Sequence, residues 1–181
     1  MLRILNKIFR VGTVTEHPPV ESEIEALGKQ VKRHVDRHFR GSLAIRQVDA
    51  GSCNACELEI HALNNAFYDI ERFGIHFVAS PRHADVLLVT GPVSRHMETA
   101  LRRTWRATPS PKFVIAAGAC ACEGGEFGVS YASCGAVENV LPVDIKIPGC
   151  PPTPADLLKG LLGLLRASAI KQPGNANKGT Q

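Results

Sequence analysis

No stretch of this 181-residue chain is apolar for long enough to cross a bilayer. Its longest apolar-rich runs, 84–93 and 157–165, fall well short of the ~20 residues that a spanning helix needs. A secretory signal is equally missing. The opening MLRILNKIFR sets Arg3, Lys7 and Arg10 among its apolar residues and is followed by no small-residue cleavage site, so a cytoplasmic protein is expected. Charge of one sign is scarce as well: the formal net charge is +4, with bases concentrated in the first forty residues and in 95–106. Without a reading motif, that excess does not point to nucleic acid and reads as a solvated face or a partner contact. The glycine-rich segment GACACEGGEF lacks the G-K-[ST] ending that a phosphate loop requires, which removes a nucleotide reading.

What is present is a regular alternation of β-rich and helical segments, of a length that suits one core. Strands are expected at 42–48, 75–79, 85–90, 112–117 and 143–147, and helices at 54–69, 94–107, about 134–140 and 154–168. Pro154 suits a helical first turn. Alternation of this kind implies α/β architecture, a doubly wound parallel sheet of flavodoxin-like type. Residues 1–41 form a helical extension ahead of the domain at 42–168. Within the extension, Leu2, Leu5, Ile8 and Phe9 share one face of a short helix suited to a membrane surface or a partner. After Pro18-Pro19, the Ser22/Glu25 pair forms a capping box for a helix bearing Ile24, Leu27, Val31, Val35 and Phe39, which Gly41 ends. The tail from 169 to 181 is expected to be disordered.

Six cysteines, at 53, 56, 120, 122, 134 and 150, are many for a chain with no export signal and a core of adequate size, so metal or redox chemistry is the better default than disulfides. Five of them follow predicted strands. In an open parallel sheet, ligands bind at the carboxyl ends of the strands, so Cys53 and Cys56, the Cys120 segment and Cys150 converge there into a four-thiolate pocket. Taken alone, the Cys53-x-x-Cys56 pair fits half a zinc site, a thioredoxin-like redox pair or two cluster ligands. Gly118, Gly124 and Gly125 around Cys120 allow backbone amides to approach a negative centre. Gly149 and the Pro151-Pro152 pair hold Cys150 in a stiff loop. A structural zinc site draws two tight pairs from a small module, whereas these thiols are spread over a whole domain, which favours an iron-sulfur cluster.

Together the segments C-x-x-C-x-x-E, G-x-C-x-x-x-G-G and P-G-C-P-P resemble the small subunit of membrane-bound energy-converting nickel-iron hydrogenases and its relative in respiratory complex I. The resemblance runs from about Ser42 to Arg166 and takes in ERFGIHFVASPRHADVLLVTGPV and LPVDIKIPGCPPTP. It implies one 4Fe-4S cluster held by Cys53, Cys56, Cys120 and Cys150, with Cys122 and Cys134 outside the ligand set. It also implies a nickel-iron-hydrogenase-like large subunit, a ferredoxin-like iron-sulfur subunit and integral membrane subunits as partners, at the cytoplasmic face of the membrane. The complex I relative has adjacent cysteines where this chain has a separated pair, so the hydrogenase branch is expected. Further cluster motifs of soluble and uptake-type small subunits do not follow the domain, and a single cluster is therefore expected.

Other residues weigh less. Glu59 matches the acidic position after the C-x-x-C pair and is a candidate proton relay, although a carboxylate near a helix N-terminus is favoured on electrostatic grounds alone. His34 and His38 have a metal-pair spacing without a third ligand and read as a solvated basic face. Two rivals remain at this point: a complex I-like subunit that delivers electrons to quinone, and a zinc-stabilised adaptor without catalytic function.

Overall fold

The structure, a computed structural model, describes residues 2–11 and 23–168. The Ser22 cap and the 169–181 tail lie outside the described residues. Five strands, β1 (Leu43–Asp49), β2 (Ile75–Phe77), β3 (Val86–Thr90), β4 (Phe113–Ala117) and β5 (Ile145–Ile147), form one parallel sheet in the order β2-β1-β3-β4-β5. This is the flavodoxin-like order, in which the chain reverses direction across the sheet between β1 and β3. The registers pair Ile45 with Val86, Val86 with Phe113 and Ile115 with Ile145.

Among the described residues there are six α-helices, α1 (Leu2–Val11), α2 (Glu23–His38), α3 (Ala55–Ala62), α4 (Arg95–Ala107), α5 (Ala119–Glu123) and α6 (Pro154–Ser168). Leu27, Val31 and Val35 recur every fourth residue on α2 and are buried in one core with Ile60, Leu158, Leu161 and Leu165 and with Leu43, Ile45, Val86 and Ile115 of the sheet. A second core on the other face joins Val48, Leu87, Val89, Val114 and Ala116 to Leu101 of α4 and to Ala121, Cys122 and Val137. β3 and β4 are buried along their whole length, which is why VLLVT and FVIAA read as continuous apolar runs. Two aspartates register the strands. Asp85, just before β3, accepts from the Ala44 amide at 2.9 Å, and Asp144, just before β5, accepts from the Val114 amide at 2.9 Å.

Two expected helices are shorter than their patterns. The segment 54–69 is helical only over Ala55–Ala62, because Asn65 Oδ1 accepts from the Phe67 and Tyr68 amides, both at 2.9 Å, and this turn competes with helix continuation. At 134–140 only a single 3-10 turn, Val137–Asn139, forms, after Gly135 at φ 78°. The five-residue α5 falls in the loop that carries Cys120, where the sequence pattern predicts no helix.

Helix α6 lies against β5 at Gly160, where a Cβ would collide with the Ile147 side chain, whereas a Cβ at Gly163 would meet nothing within 4 Å. Gly160→Ala is therefore expected to lower stability by ~1–3 kcal/mol through overpacking. Gly163→Ala should raise it by about 0.5–1 kcal/mol through helix propensity. Denaturant unfolding of the two variants checks both signs.

Candidate metal centre

Each cysteine segment leaves a strand at its carboxyl end. After β1, Asp49 Oδ1 accepts from the Gly51 and Ser52 amides, both at 2.8 Å, turning the chain sharply into the C-x-x-C loop. Asn54 sits at φ 72° ahead of α3, so Cys56 and Glu57 occupy the first helical turn. The Gly91-Pro92 turn after β3 supports this loop: a Cβ at Gly51 would stand 2.9 Å from the Pro92 carbonyl, and one at Gly91 would overlap Ser52. After β4, Gly118 at φ 95° leads into α5, which carries Cys120 and Cys122. After β5, Gly149 accepts from the Ala119 amide at 2.7 Å, which holds the Cys150 loop against the Cys120 segment.

The glycines also measure how closely backbone and sulfur approach. A Cβ on Gly118 would lie 2.6 Å from Cys56 Sγ, and one on Gly125 would lie 2.6 Å from Cys120 Sγ. Both positions have positive φ as well, at 95° and 56°. Two independent constraints, space and backbone conformation, thus select glycine beside two different thiols. Gly149 is packed against Pro152, and Gly124 against Ala136, Gly128 and Gly135 at 3.3 Å or more. Pro151 is exposed and follows Cys150 through a cis peptide bond.

Cys53 and Cys150 are exposed, and Cys56 and Cys120 are half-buried. Burial pushes the Cys56 thiol up to about 11, helped by Glu57 and by the neighbouring Cys53, Cys120 and Cys150. Burial likewise raises Cys120, with Cys150, Cys53 and Glu126 adding to the effect. These four thiols therefore share one electrostatic neighbourhood, in which Cys53 and Cys150 oppose ionisation of both Cys56 and Cys120. Among the described residues, no three His, Cys, Asp or Glu side chains are gathered closely enough to hold a single metal ion.

The remaining cysteines point elsewhere. Cys122 is buried beneath the sheet edge and donates to the Ala116 and Ile147 carbonyls at 3.4 and 3.5 Å. Cys134 is buried and donates to Glu98 Oε2 at 3.3 Å. Both have their thiols raised chiefly by burial. His34 and His38 stack at 6.0 Å on α2.

Glu59 is half-buried on α3. Glu57, which a reading of helix-terminal carboxylates passes over, is only 6% exposed, and neither of its oxygens has a hydrogen-bond partner among the described residues. Its only signal in the sequence is its place immediately after Cys56, which puts it in the same buried turn.

The donor set and the space fit an iron-sulfur cluster: four thiols stand at one edge, and a Cβ at either of two glycines would press on sulfur. Around this edge Leu58, Phe127, Val129 and Tyr131 are 63%, 69%, 70% and 98% exposed, a concentration of apolar surface that a soluble monomer rarely presents. The loop bearing three of them is tied to the same edge, since Val93 donates to the Gly135 carbonyl at 2.9 Å and Cys134 donates to the Val93 carbonyl at 2.7 Å.

Comparison with known proteins agrees with this edge. Residues 53–164, from the first cysteine of the pair to beyond Cys150, match the family described as NADH ubiquinone oxidoreductase, 20 Kd subunit. The chain is 44% identical over 150 residues to formate hydrogenlyase subunit 7 of Escherichia coli, covering 81% of this chain and 59% of that protein. This chain thus spans about three-fifths of that relative's length. It is 46% identical over 115 residues to a probable membrane-bound hydrogenase subunit of Pyrococcus furiosus, covering 64% of this chain and 69% of the relative. It is 47% identical over 109 residues to an NADH-quinone oxidoreductase subunit of Desulfovibrio desulfuricans, covering 60% and 59%. Among solved structures, a chain of the membrane-bound sulfane sulfur reductase, an archaeal respiratory membrane complex, superposes with a TM-score of 0.64 at 30% identity, covering 83% of this chain and 78% of that one. A chain of an NAD+-reducing [NiFe]-hydrogenase shares the fold at a TM-score of 0.55 and 19% identity, covering 76% and 98%. This chain therefore belongs to the family of the 20 kDa subunit of NADH-ubiquinone oxidoreductase, whose members here are subunits of hydrogenase and quinone-reducing oxidoreductase complexes.

Proposed function

We propose that this protein is the electron-transfer subunit of a membrane-bound, energy-converting hydrogenase-type complex, and that Cys53, Cys56, Cys120 and Cys150 hold one 4Fe-4S cluster next to the catalytic large subunit. The observation that carries the reading is the shared field of these four thiols at one sheet edge, with glycine at the two positions where a Cβ would meet sulfur. A zinc ion would draw four thiolates to ~2.3 Å from one point. An iron cube binds each thiolate at a different corner and suits the looser grouping seen here.

When bound, such a cluster supplies one-electron chemistry at a potential within roughly −700 to +450 mV, depending on its surroundings. The chain's own residues set those surroundings. Gly118 and Gly125 bring backbone close to sulfur and exclude water there. Glu57, buried beside Cys56, opposes negative charge on that thiolate, and the same field opposes an added electron, which lowers the potential. Glu59, on the same helix, is the candidate for a proton relay. Cys53 and Cys150 are the exposed ligands, so electrons exchange through the face that they share.

The hydrogenase assignment rests on the separated cysteine pair, since identity is about equal to the hydrogenase-type and the NADH-quinone oxidoreductase subunits. Its partners are then a nickel-iron-type large subunit, a ferredoxin-like iron-sulfur subunit that relays electrons, and integral membrane subunits. No described helix is long and apolar enough to cross a membrane. In this reading, attachment is peripheral, at the cytoplasmic face, and runs through those partners.

Protein prepared anaerobically is expected to contain about four irons and four sulfides per chain. Cys→Ser changes at 53, 56, 120 and 150 should abolish or convert the cluster spectrum. Changes at 122 and 134 should leave it nearly intact. Stoichiometric zinc without iron, or loss of the cluster in Cys122→Ser with retention in Cys120→Ser, would defeat the assignment.

A test of the docking face must avoid Gly125, since any side chain there strikes Cys120 directly. Phe127→Ala and Tyr131→Ala are expected to keep the cluster spectrum and to reduce recovery of the large subunit with the affinity-purified complex. Arg103→Ala and Arg106→Ala on α4 should leave both the spectrum and the recovery of the large subunit unchanged, and pull-down of the complex carrying each variant distinguishes the two faces.

A further inference from the structure

The end of the domain away from the cysteines carries a second constellation. The carboxyl half of α2 leads through Gly41 into the start of β1, and α6 runs from the Cys150 loop back across the sheet. Arg166 lies twelve residues along α6 from Pro154, or ~18 Å from the cysteine edge at 1.5 Å per residue. There Gln30, Arg33, His34, Asp36 and Arg37 of α2 and Arg166 of α6 line a groove of about 780 Å³.

Its charge is unbalanced. Arg33 and Arg37 stand one helical turn apart and form no ion pair or hydrogen bond among the described residues, and both are exposed. Arg166 donates to Gln30 Oε1 at 3.0 Å and pairs with no acid among the described residues. The one carboxylate in the lining, Asp36, is engaged by Lys32 at 3.5 Å. His34 Nδ1 is buried in the wall with no hydrogen-bond partner among the described residues. Burial holds this imidazole below its usual range, and His38, Arg166, Arg37 and Arg33 push it further in the same direction. Three guanidinium groups thus share one groove with a single carboxylate, Asp36, that is itself engaged by Lys32.

We propose that this groove is an oxyanion site that takes the phosphate headgroup of an anionic phospholipid. Three guanidiniums present planar pairs of N–H donors matched to phosphate oxygens, and two of them are free to turn toward it. The choice of lipid rests on the membrane-bound reading of the complex and on α1. That helix contains no acid, carries Arg3, Lys7 and Arg10, and exposes Ile4, Ile8 and Phe9, the composition of a helix that lies on a bilayer. The groove itself depends on neither, and it leaves the cysteine edge clear for the catalytic partner.

The test uses the full-length, cluster-loaded chain, titrated with inorganic phosphate while the His34 ring is followed by NMR, and floated with vesicles of phosphatidylcholine with or without phosphatidylglycerol. Saturable phosphate binding is expected, about tenfold weaker in the double variant Arg33→Gln/Arg37→Gln. Phosphatidylglycerol-dependent flotation should fall by a similar factor in that variant, while Arg103→Gln/Arg106→Gln, an equal loss of two positive charges from exposed arginines on α4, changes neither. The double variant with lysine at both positions should recover only part of the affinity, because the charge remains and the paired donors are lost. Phosphate binding with flotation indifferent to the arginines would keep the oxyanion site and overturn the lipid as its occupant. No saturable phosphate binding, or binding of an acidic peptide in its place, would overturn the proposal.

Discussion

At residues 118 and 125 the space that a side chain would fill is taken by sulfur, and the backbone there is in a conformation that L side chains rarely adopt. The close approach that results lets loops from three different strands share one edge without a covalent link between them. The Ala119 amide bonds to Gly149, the Gly118 amide bonds to Ile147, and the Gly91 turn leaves no room beside Ser52, so each loop limits the position of the next. The parallel sheet delivers these loops to one side because every strand ends there.

The same closeness has an electrostatic consequence. Burial, the buried Glu57 carboxylate and the neighbouring thiols push Cys56 up to about 11, and burial with Cys150 and Cys53 raises Cys120 as well. Thiolates in such a place become stable when positive charge arrives with them, so assembly of a metal centre and loss of protons are coupled. The exposed pair, Cys53 and Cys150, and the apolar side chains of Leu58, Phe127, Val129 and Tyr131 leave this edge facing outward, as the proposed electron carrier requires and a purely structural site does not.

Much of this was legible in the sequence, and the reasons differ by element. Apolar runs at β3 and β4 and the fourth-residue spacing of Leu27, Val31 and Val35 reported burial directly. That the segments of Cys53 and Cys56, Cys120 and Cys150 meet at one edge was legible because each follows a strand of a parallel sheet, whereas the choice of Cys120 over Cys122, which follows the same strand, came only from the resemblance. The end of α3 was not, since it depends on Asn65 turning back on the amides of Phe67 and Tyr68, a choice that an apolar pattern does not record. Burial of Glu57 and the arginine groove escaped for another reason. Both arise from side chains packed together by tertiary structure, and Arg166 meets Gln30 across 136 positions of sequence.

The central claim is that electrons leave through the edge that carries the four cysteines, and the structure of the purified complex at side-chain resolution tests it most directly. The account predicts that the large catalytic subunit covers Cys53, Cys120 and Cys150 together with Phe127 and Tyr131, with cluster density joined to the sulfurs of residues 53, 56, 120 and 150. A large subunit seated on α4, with the cysteine loops open to solvent, would contradict it.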